Sequence, residues 1–96
     1  MRTIRRDSLG SDIREAIRQM RFSFSSARNH LREYGNNTAP YLPRARGNNT
    51  YYEYDVGQGR NDRGRARIVG LFAASGELLS CYFTDTHYAS WREIVW

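Results

Sequence analysis

One carboxylate, one imidazole and two guanidiniums stand in the second half of this 96-residue chain: Glu53, His87, Arg63 and Arg67. Together they suit one kind of proton traffic. A carboxylate base takes a proton from a ribose 2′-hydroxyl, a protonated imidazole returns one to the departing 5′-oxygen, and guanidiniums hold the negative charge on the phosphate between them. Such chemistry would cut RNA by attack of the 2′-oxygen on the adjacent phosphorus. The first product would be a 2′,3′-cyclic phosphate, hydrolysed afterwards with acid and base exchanging roles. DNA, lacking the 2′-hydroxyl, would be spared. The scheme asks for no cofactor, and two histidines and one cysteine without ligand spacing offer no zinc site. Tyr88 follows the imidazole directly and is placed to pack on the sugar or to bond a phosphate oxygen. Arg65 lies between the two named arginines.

These side chains need a sheet to gather them. From Tyr51 onward the pattern has a period of two. Residues 51–56, 65–72, 78–84 and 90–95 read as strands, with a glycine-containing loop at 57–62 and a turn at 74–77. Short connections imply antiparallel neighbours. Alternation places Tyr52, Tyr54 and Val56 on one face, and Tyr51, Glu53 and Asp55 on the other. On the next strand Arg65 and Arg67 share a face, opposite Ile68, Gly70 and Phe72. Apolar faces turned toward helices leave Glu53, Arg65 and Arg67 on an open face.

The helices come from the first half. Residues 1–10 read as a flexible basic arm ending at Gly10. Ser11 or Asp12 then caps a helix, with Glu15 spaced to close a capping box on Asp12. Ile13, Ile17, Met20, Phe24, Ala27, Leu31 and Tyr34 recur at spacings of four and three, a helical stripe through residue 35. Serines at 23, 25 and 26 compete for backbone hydrogen bonds, which favours two helices, the second at about 26–34. His30 beside this stripe reads as structural. Residues 36–50 read as loop, with Gly-Asn-Asn-Thr at 35–38 and again at 47–50 around two prolines. The expected fold is α+β in one domain spanning 1–96: N-terminal helices packed on one face of a C-terminal antiparallel sheet.

Composition narrows the partners. The formal net charge is +5, and all 15 basic residues are arginine, the side chain whose planar fork best fits phosphate. Seven tyrosines and two tryptophans beside that charge suit stacking on single-stranded nucleic acid better than a membrane surface. The apolar share of 40% is that of a globular chain. No apolar run spans a bilayer, and the basic N-terminus lacks the apolar stretch of a secretory leader. Cys81 is the only cysteine, so packing rather than an internal disulfide must hold the fold.

Three segments carry a family likeness. They are Tyr51-Tyr52-Glu53-Tyr54, then Arg63-Gly64-Arg65-Ala66-Arg67-Ile68-Val69, then Thr84-Asp85-Thr86-His87-Tyr88-Ala89-Ser90-Trp91. In this order and spacing they resemble the microbial ribonuclease family of the barnase-like, guanyl-specific type. The resemblance implies that family's fold, with Glu53 as base, His87 as acid, Arg63 and Arg67 as phosphate binders and Tyr88 as an auxiliary. It assigns nothing to Arg65. It also implies single-stranded RNA as substrate, a monomer, an acidic protein inhibitor, and a secreted enzyme or a toxin delivered into a target cell's cytoplasm. Two departures stand out. Family members pair guanine with a loop glutamate, yet 36–50 contains no Asp or Glu. Base binding then falls to Asn36, Asn37, backbone amides and Tyr51, or guanine preference is relaxed. Thr86 also stands where the family usually has Asp before the histidine. The rival readings are a non-catalytic RNA-binding domain, a duplex-DNA binder using the N-terminal helices, and a membrane-active basic helix.

Overall fold

Burial of a single stripe accounts for the helix. Ile13, Ala16, Ile17 and Met20 fall on one side of α1 (Ser11–Phe22) and face the core. The computed structural model describes residues 1–22, 31–55 and 66–95. The Gly10 carbonyl accepts the first helical bond, from the Arg14 N–H at 3.0 Å. The expected capping box does not form. Glu15 turns along the helix instead, accepting from Arg18 Nε at 3.1 Å and from Gln19 Nε2 at 3.0 Å. A charge-assisted bond to a guanidinium one turn away outcompetes a lone backbone N–H.

Six strands form one mixed sheet: β1 (Arg2–Arg5), β2 (Leu31–Glu33), β3 (Thr50–Asp55), β4 (Arg67–Phe72), β5 (Leu78–Thr84) and β6 (Arg92–Val95). Their spatial order is β1-β6-β5-β4-β3-β2. The strands expected in the second half are present, and all pairings among β2 to β6 are antiparallel.

Two expectations are corrected at the sheet edges. The N-terminal arm is not a free tail: β1 pairs in parallel with β6, Ile4 opposite Ile94, and a 3₁₀ turn at Arg6–Ser8 leads toward the helix. Ile4 packs against the core, which ties the segment down. Residues 31–33, assigned by their spacing to a second helix, form edge strand β2. Leu31 and Tyr34, three apart, would share one side of a helix but fall on opposite faces of an extended strand. Leu31 joins the cluster beneath α1 and Tyr34 joins the cluster on the other face. His30 and the earlier part of the proposed second helix lie outside the described residues, as do Val56 and the loop at 57–62.

The sheet therefore has an apolar layer on each face. One cluster holds α1 through Ile17, Met20, Ile68, Phe72, Cys81 and Phe83. The second joins Leu42, Tyr51, Val69, Tyr82 and Trp91 and carries the loop at 36–49. Gly70 is the close-approach point of the first. A Cβ there would stand 2.6 Å from Leu78 Cδ1 and 2.7 Å from Met20 Cε. Cys81 is buried in this layer, and burial pushes its thiol up to about 12. Such a thiol is a packing residue, as its apolar neighbours in the sequence imply. Among the described residues no helix is long and apolar enough to cross a membrane.

Candidate active site

The face opposite α1 collects the chemistry. On β3, Glu53 alternates away from Tyr52 and Tyr54, which pack on the helix side. On β4, Arg67 alternates with Ile68 in the same way. The sorting of faces read from the sequence holds for Tyr52, Glu53 and Tyr54 on β3 and for Arg67, Ile68 and Phe72 on β4, while Val56, Arg65 and the Asp55 side chain lie outside the described residues. Glu53 and Arg67 stand on adjacent strands of one sheet, with Asp55 the cross-strand partner of Arg67.

Tyr88 ties the set together. Its hydroxyl donates to Glu53 Oε2 at 2.5 Å across 35 residues of chain. Its ring lies 4.8 Å from the His87 ring, centroid to centroid, and the Arg67 guanidinium carbon sits 6.0 Å from its centroid. Tyr34 stacks on it at 5.6 Å, and Trp91 leans against it at 5.9 Å. Glu53, Arg67, His87 and Tyr88 thus share one rim. Arg63 and Arg65 lie outside the described residues. Arg67 Nη1 also donates to the Ala66 carbonyl at 2.8 Å, which turns the tip of that side chain back onto the backbone just before β4.

His87 is exposed, at the tip of the turn after β5. Its φ is +55° and that of Tyr88 is +74°, both in the left-handed region. What holds two consecutive residues there is Thr84, 1% exposed at the end of β5. Its hydroxyl accepts the Thr86 N–H at 3.3 Å and the Tyr88 N–H at 3.2 Å. Thr86 in turn exchanges a hydrogen bond with Ser90 at 2.9 Å. The residue that replaces the family's Asp is therefore part of the turn's internal bonding. Thr84→Val keeps the shape and removes the acceptor. It is expected to cost about 1–3 kcal/mol by stranding two N–H groups. Denaturant unfolding checks this, and a loss below about 0.5 kcal/mol would mean that water replaces the hydroxyl at no cost.

Burial and the nearby carboxylate keep the tyrosines of this face protonated. Tyr88 is pushed up to about 12, chiefly by burial and then by its bond to Glu53, with Arg67 opposing. Tyr34 is raised by burial and by the Glu53 charge. Tyr51 and Tyr82 are raised too, again chiefly by burial. A raised folded pKa means that the native state holds its proton more tightly than the unfolded chain does. The contribution is complete below pH 10 and is lost as pH climbs toward 12. We expect stability to fall steeply over that interval, with tyrosinate absorbance rising together with loss of structure. Ionisation of Tyr34, Tyr51, Tyr82 and Tyr88 in a chain that stays folded at pH 11 would contradict it.

The loop at 36–49 builds a cavity of about 490 Å³ beside this rim, lined by Tyr34, Asn36, Tyr41, Arg44, Asn49 and Tyr51 among others. Tyr34 belongs to both, since it stacks on Tyr88. The sequence-chosen base binders are less available than expected. The Asn36 side chain is committed to its own loop, donating to the Leu42 carbonyl at 3.0 Å and accepting the Leu42 N–H at 2.9 Å. Asn37 is exposed and lies against Gly35 instead of lining the cavity. Tyr51 is 4% exposed, and its hydroxyl donates to the Pro43 carbonyl at 2.5 Å. Trp91 Nε1 pins the loop's other arm through the Pro40 carbonyl at 3.1 Å.

One member of the rim escaped the sequence reading. Arg32, on β2, reaches Glu53 with Nη2 3.1 Å from Oε1. No motif marks it. The only available signal was the cross-strand register that pairs Arg32 with Glu53, which appears once β2 is known to be a strand.

Comparison with known proteins agrees with this architecture. Comparison with curated protein sequences returns no match. Two solved structures are similar over 99% of this chain. One is ribonuclease Sa2 complexed with mononucleotides, at 24% identity and a TM-score of 0.66 over 94% of that chain. The other is ribonuclease Sa2 with guanosine-2′-cyclophosphate, at 25% identity and a TM-score of 0.58 over 96% of that chain. The ribonuclease family model matches residues 3–95, from the first strand to the last. With that match across nearly its whole length, and a helix laid on one face of a sheet whose other face gathers Glu53, Arg67, His87 and Tyr88, the chain belongs to the ribonuclease family and is an endoribonuclease.

Proposed function

We propose that this endoribonuclease cuts single-stranded RNA by transphosphorylation, without a metal ion. Glu53 removes the 2′-hydroxyl proton, and the resulting oxygen attacks the adjacent phosphorus. His87 protonates the 5′-oxygen as the P–O bond breaks. Arg67, with Arg63, neutralises charge gathering on the non-bridging oxygens, where a preorganised donor contributes on the order of 3 kcal/mol. Tyr88, already bonded to the carboxylate, orients the base and borders the sugar. Hydrolysis of the cyclic phosphate follows with the proton roles reversed.

The observation that carries this reading is the bridge through Tyr88, whose hydroxyl meets Glu53 while its ring lies against His87. An acid and a base on one rim, with a guanidinium beside them, support cleavage over mere RNA binding. The cavity next to Tyr34 is where the base preceding the cut would sit. The loop 36–50 supplies no carboxylate and the Asn36 amide is spent on Leu42, which leaves Glu33, at the end of β2, as the acidic residue lining the cavity. With the base met by that displaced carboxylate, guanine selectivity is weaker here than in guanyl-specific relatives.

The protein acts as a monomer, released or delivered into a target cell, and an acidic protein inhibitor protects its producer. The all-arginine net charge of +5 supports an acidic partner. Incubation with defined RNA in EDTA, with fragment ends read by mass, tests the chemistry. Expected are 2′,3′-cyclic phosphate ends after more than one base type, and no cut where the preceding nucleotide is 2′-deoxy. Binding without cleavage would return the protein to a non-catalytic RNA-binding role.

A further inference from the structure

We infer that Arg32, on the edge strand β2, is a positioning residue that sets the plane of the Glu53 carboxylate. The inference rests on the transphosphorylation reading and adds to it a residue from the half of the chain that carries none of the site motifs.

The backbone aims Arg32 at its target. Leu31 is drawn into the layer under α1, so its neighbour must point to the opposite face. The register then places Arg32 directly across from Glu53. The two oxygens of the carboxylate are held from different sides. Oε1 faces Arg32 Nη2 at 3.1 Å, and Oε2 accepts the Tyr88 hydroxyl. One bond leaves a carboxylate free to turn about its terminal torsion. A hydrogen bond on one oxygen and an ion pair on the other restrain that torsion, and with it the direction in which the remaining lone pairs face a ribose hydroxyl.

Exposure separates this role from a structural one. The Arg32 side chain is 59% exposed and that of Glu53 12%. The pair therefore joins a nearly buried base to a cation standing in solvent, and solvent-screened pairs add little to folding. A residue whose task is alignment should register in turnover, with unfolding almost unmoved. Angular tolerance for proton transfer is narrow, so a modest swing of the carboxylate has a disproportionate cost.

The experiment is a double-mutant cycle with the full chain on a defined RNA. Arg32→Ala is expected to lower kcat about tenfold while KM changes less than about threefold, with the unfolding midpoint within a few degrees of wild type. Arg32→Lys, which restores one donor, should recover part of the loss. In a Glu53→Gln background, Arg32→Ala should cost nothing further, because there is no longer a base to align. An unchanged kcat overturns the proposal, as does an equal loss in the Glu53→Gln background or a loss confined to KM. If Arg32→Ala fails to fold, the role is structural and the proposal falls. Failure of the underlying reading looks different: wild-type protein leaves RNA intact, or Glu53→Gln cleaves like wild type.

Discussion

Replacing His87 with alanine should leave a folded protein whose kcat on RNA has fallen about 10³-fold, within the 10²–10⁴ that a positioned proton donor contributes. The side chain is exposed, so its removal opens no cavity. The backbone at 87 lies in the left-handed region at φ +55°, which alanine tolerates poorly and asparagine well. His87→Asn is therefore the cleaner variant. It keeps the turn, cannot carry the proton, and should lose as much activity as alanine with less change in unfolding midpoint. Glu53→Gln keeps the bond from Tyr88 and removes the base, and a loss of similar size is expected. Because the two groups serve one proton relay, the double variant should lose far less than the product of the single losses. Single-turnover cleavage of a fluorescent oligonucleotide measures all of these. Activity within tenfold of wild type in His87→Asn would remove His87 from the reaction.

The second large effect is on stability and comes from the other face of the sheet. Phe72 is 1% exposed, among the largest fully buried side chains, and it meets Tyr52 edge-on at 5.7 Å and 74°. It belongs to the layer that clamps α1 onto β4 and β5. Phe72→Ala removes that ring beneath a helix only twelve residues long and is expected to cost about 3–5 kcal/mol. Small domains hold roughly 5–15 kcal/mol in total, so between about a fifth and the whole of the stability would go. The melting temperature should drop by roughly 15–30 °C. Since Phe72 and Glu53 point to opposite faces, activity per folded molecule should survive at low temperature. Urea unfolding monitored by circular dichroism gives the midpoint. A shift corresponding to less than about 1 kcal/mol would mean that the layer collapses around the gap.

Legibility in the sequence followed how local the determining contacts are. Glu53, Arg67, His87 and Tyr88 could be chosen because each lies in or beside a strand whose alternation is plain and whose partners are near in sequence. The turn at 73–77 sets the pairing of β4 with β5, and the beginning of α1 is marked by a glycine and a polar run. β1 was invisible for the opposite reason. Arg-Thr-Ile-Arg has a single apolar residue, and its partner is about ninety positions away. β2 was misread because Leu31 within it and Tyr34 just after it, both partly buried, happen to be spaced like neighbours on a helix. With β2 went Arg32, whose meaning depends on a strand pairing that no local pattern announces. The commitments of Asn36 and Tyr51 were hidden likewise. An amide closing its own loop and an amide available to a ligand are the same letter in the sequence.

The parallel pairing of the first strand with the last has a consequence for biosynthesis. On the ribosome, β1 emerges well before β6, so the sheet has an unfilled edge until β6 itself has been made. Closing so long a loop is an entropic toll met only once β6 is in place, and the sheet should gain cooperativity in a single step at that point. Trimming four residues from the C-terminal strand would accordingly orphan an N-terminal segment that the deletion never touched.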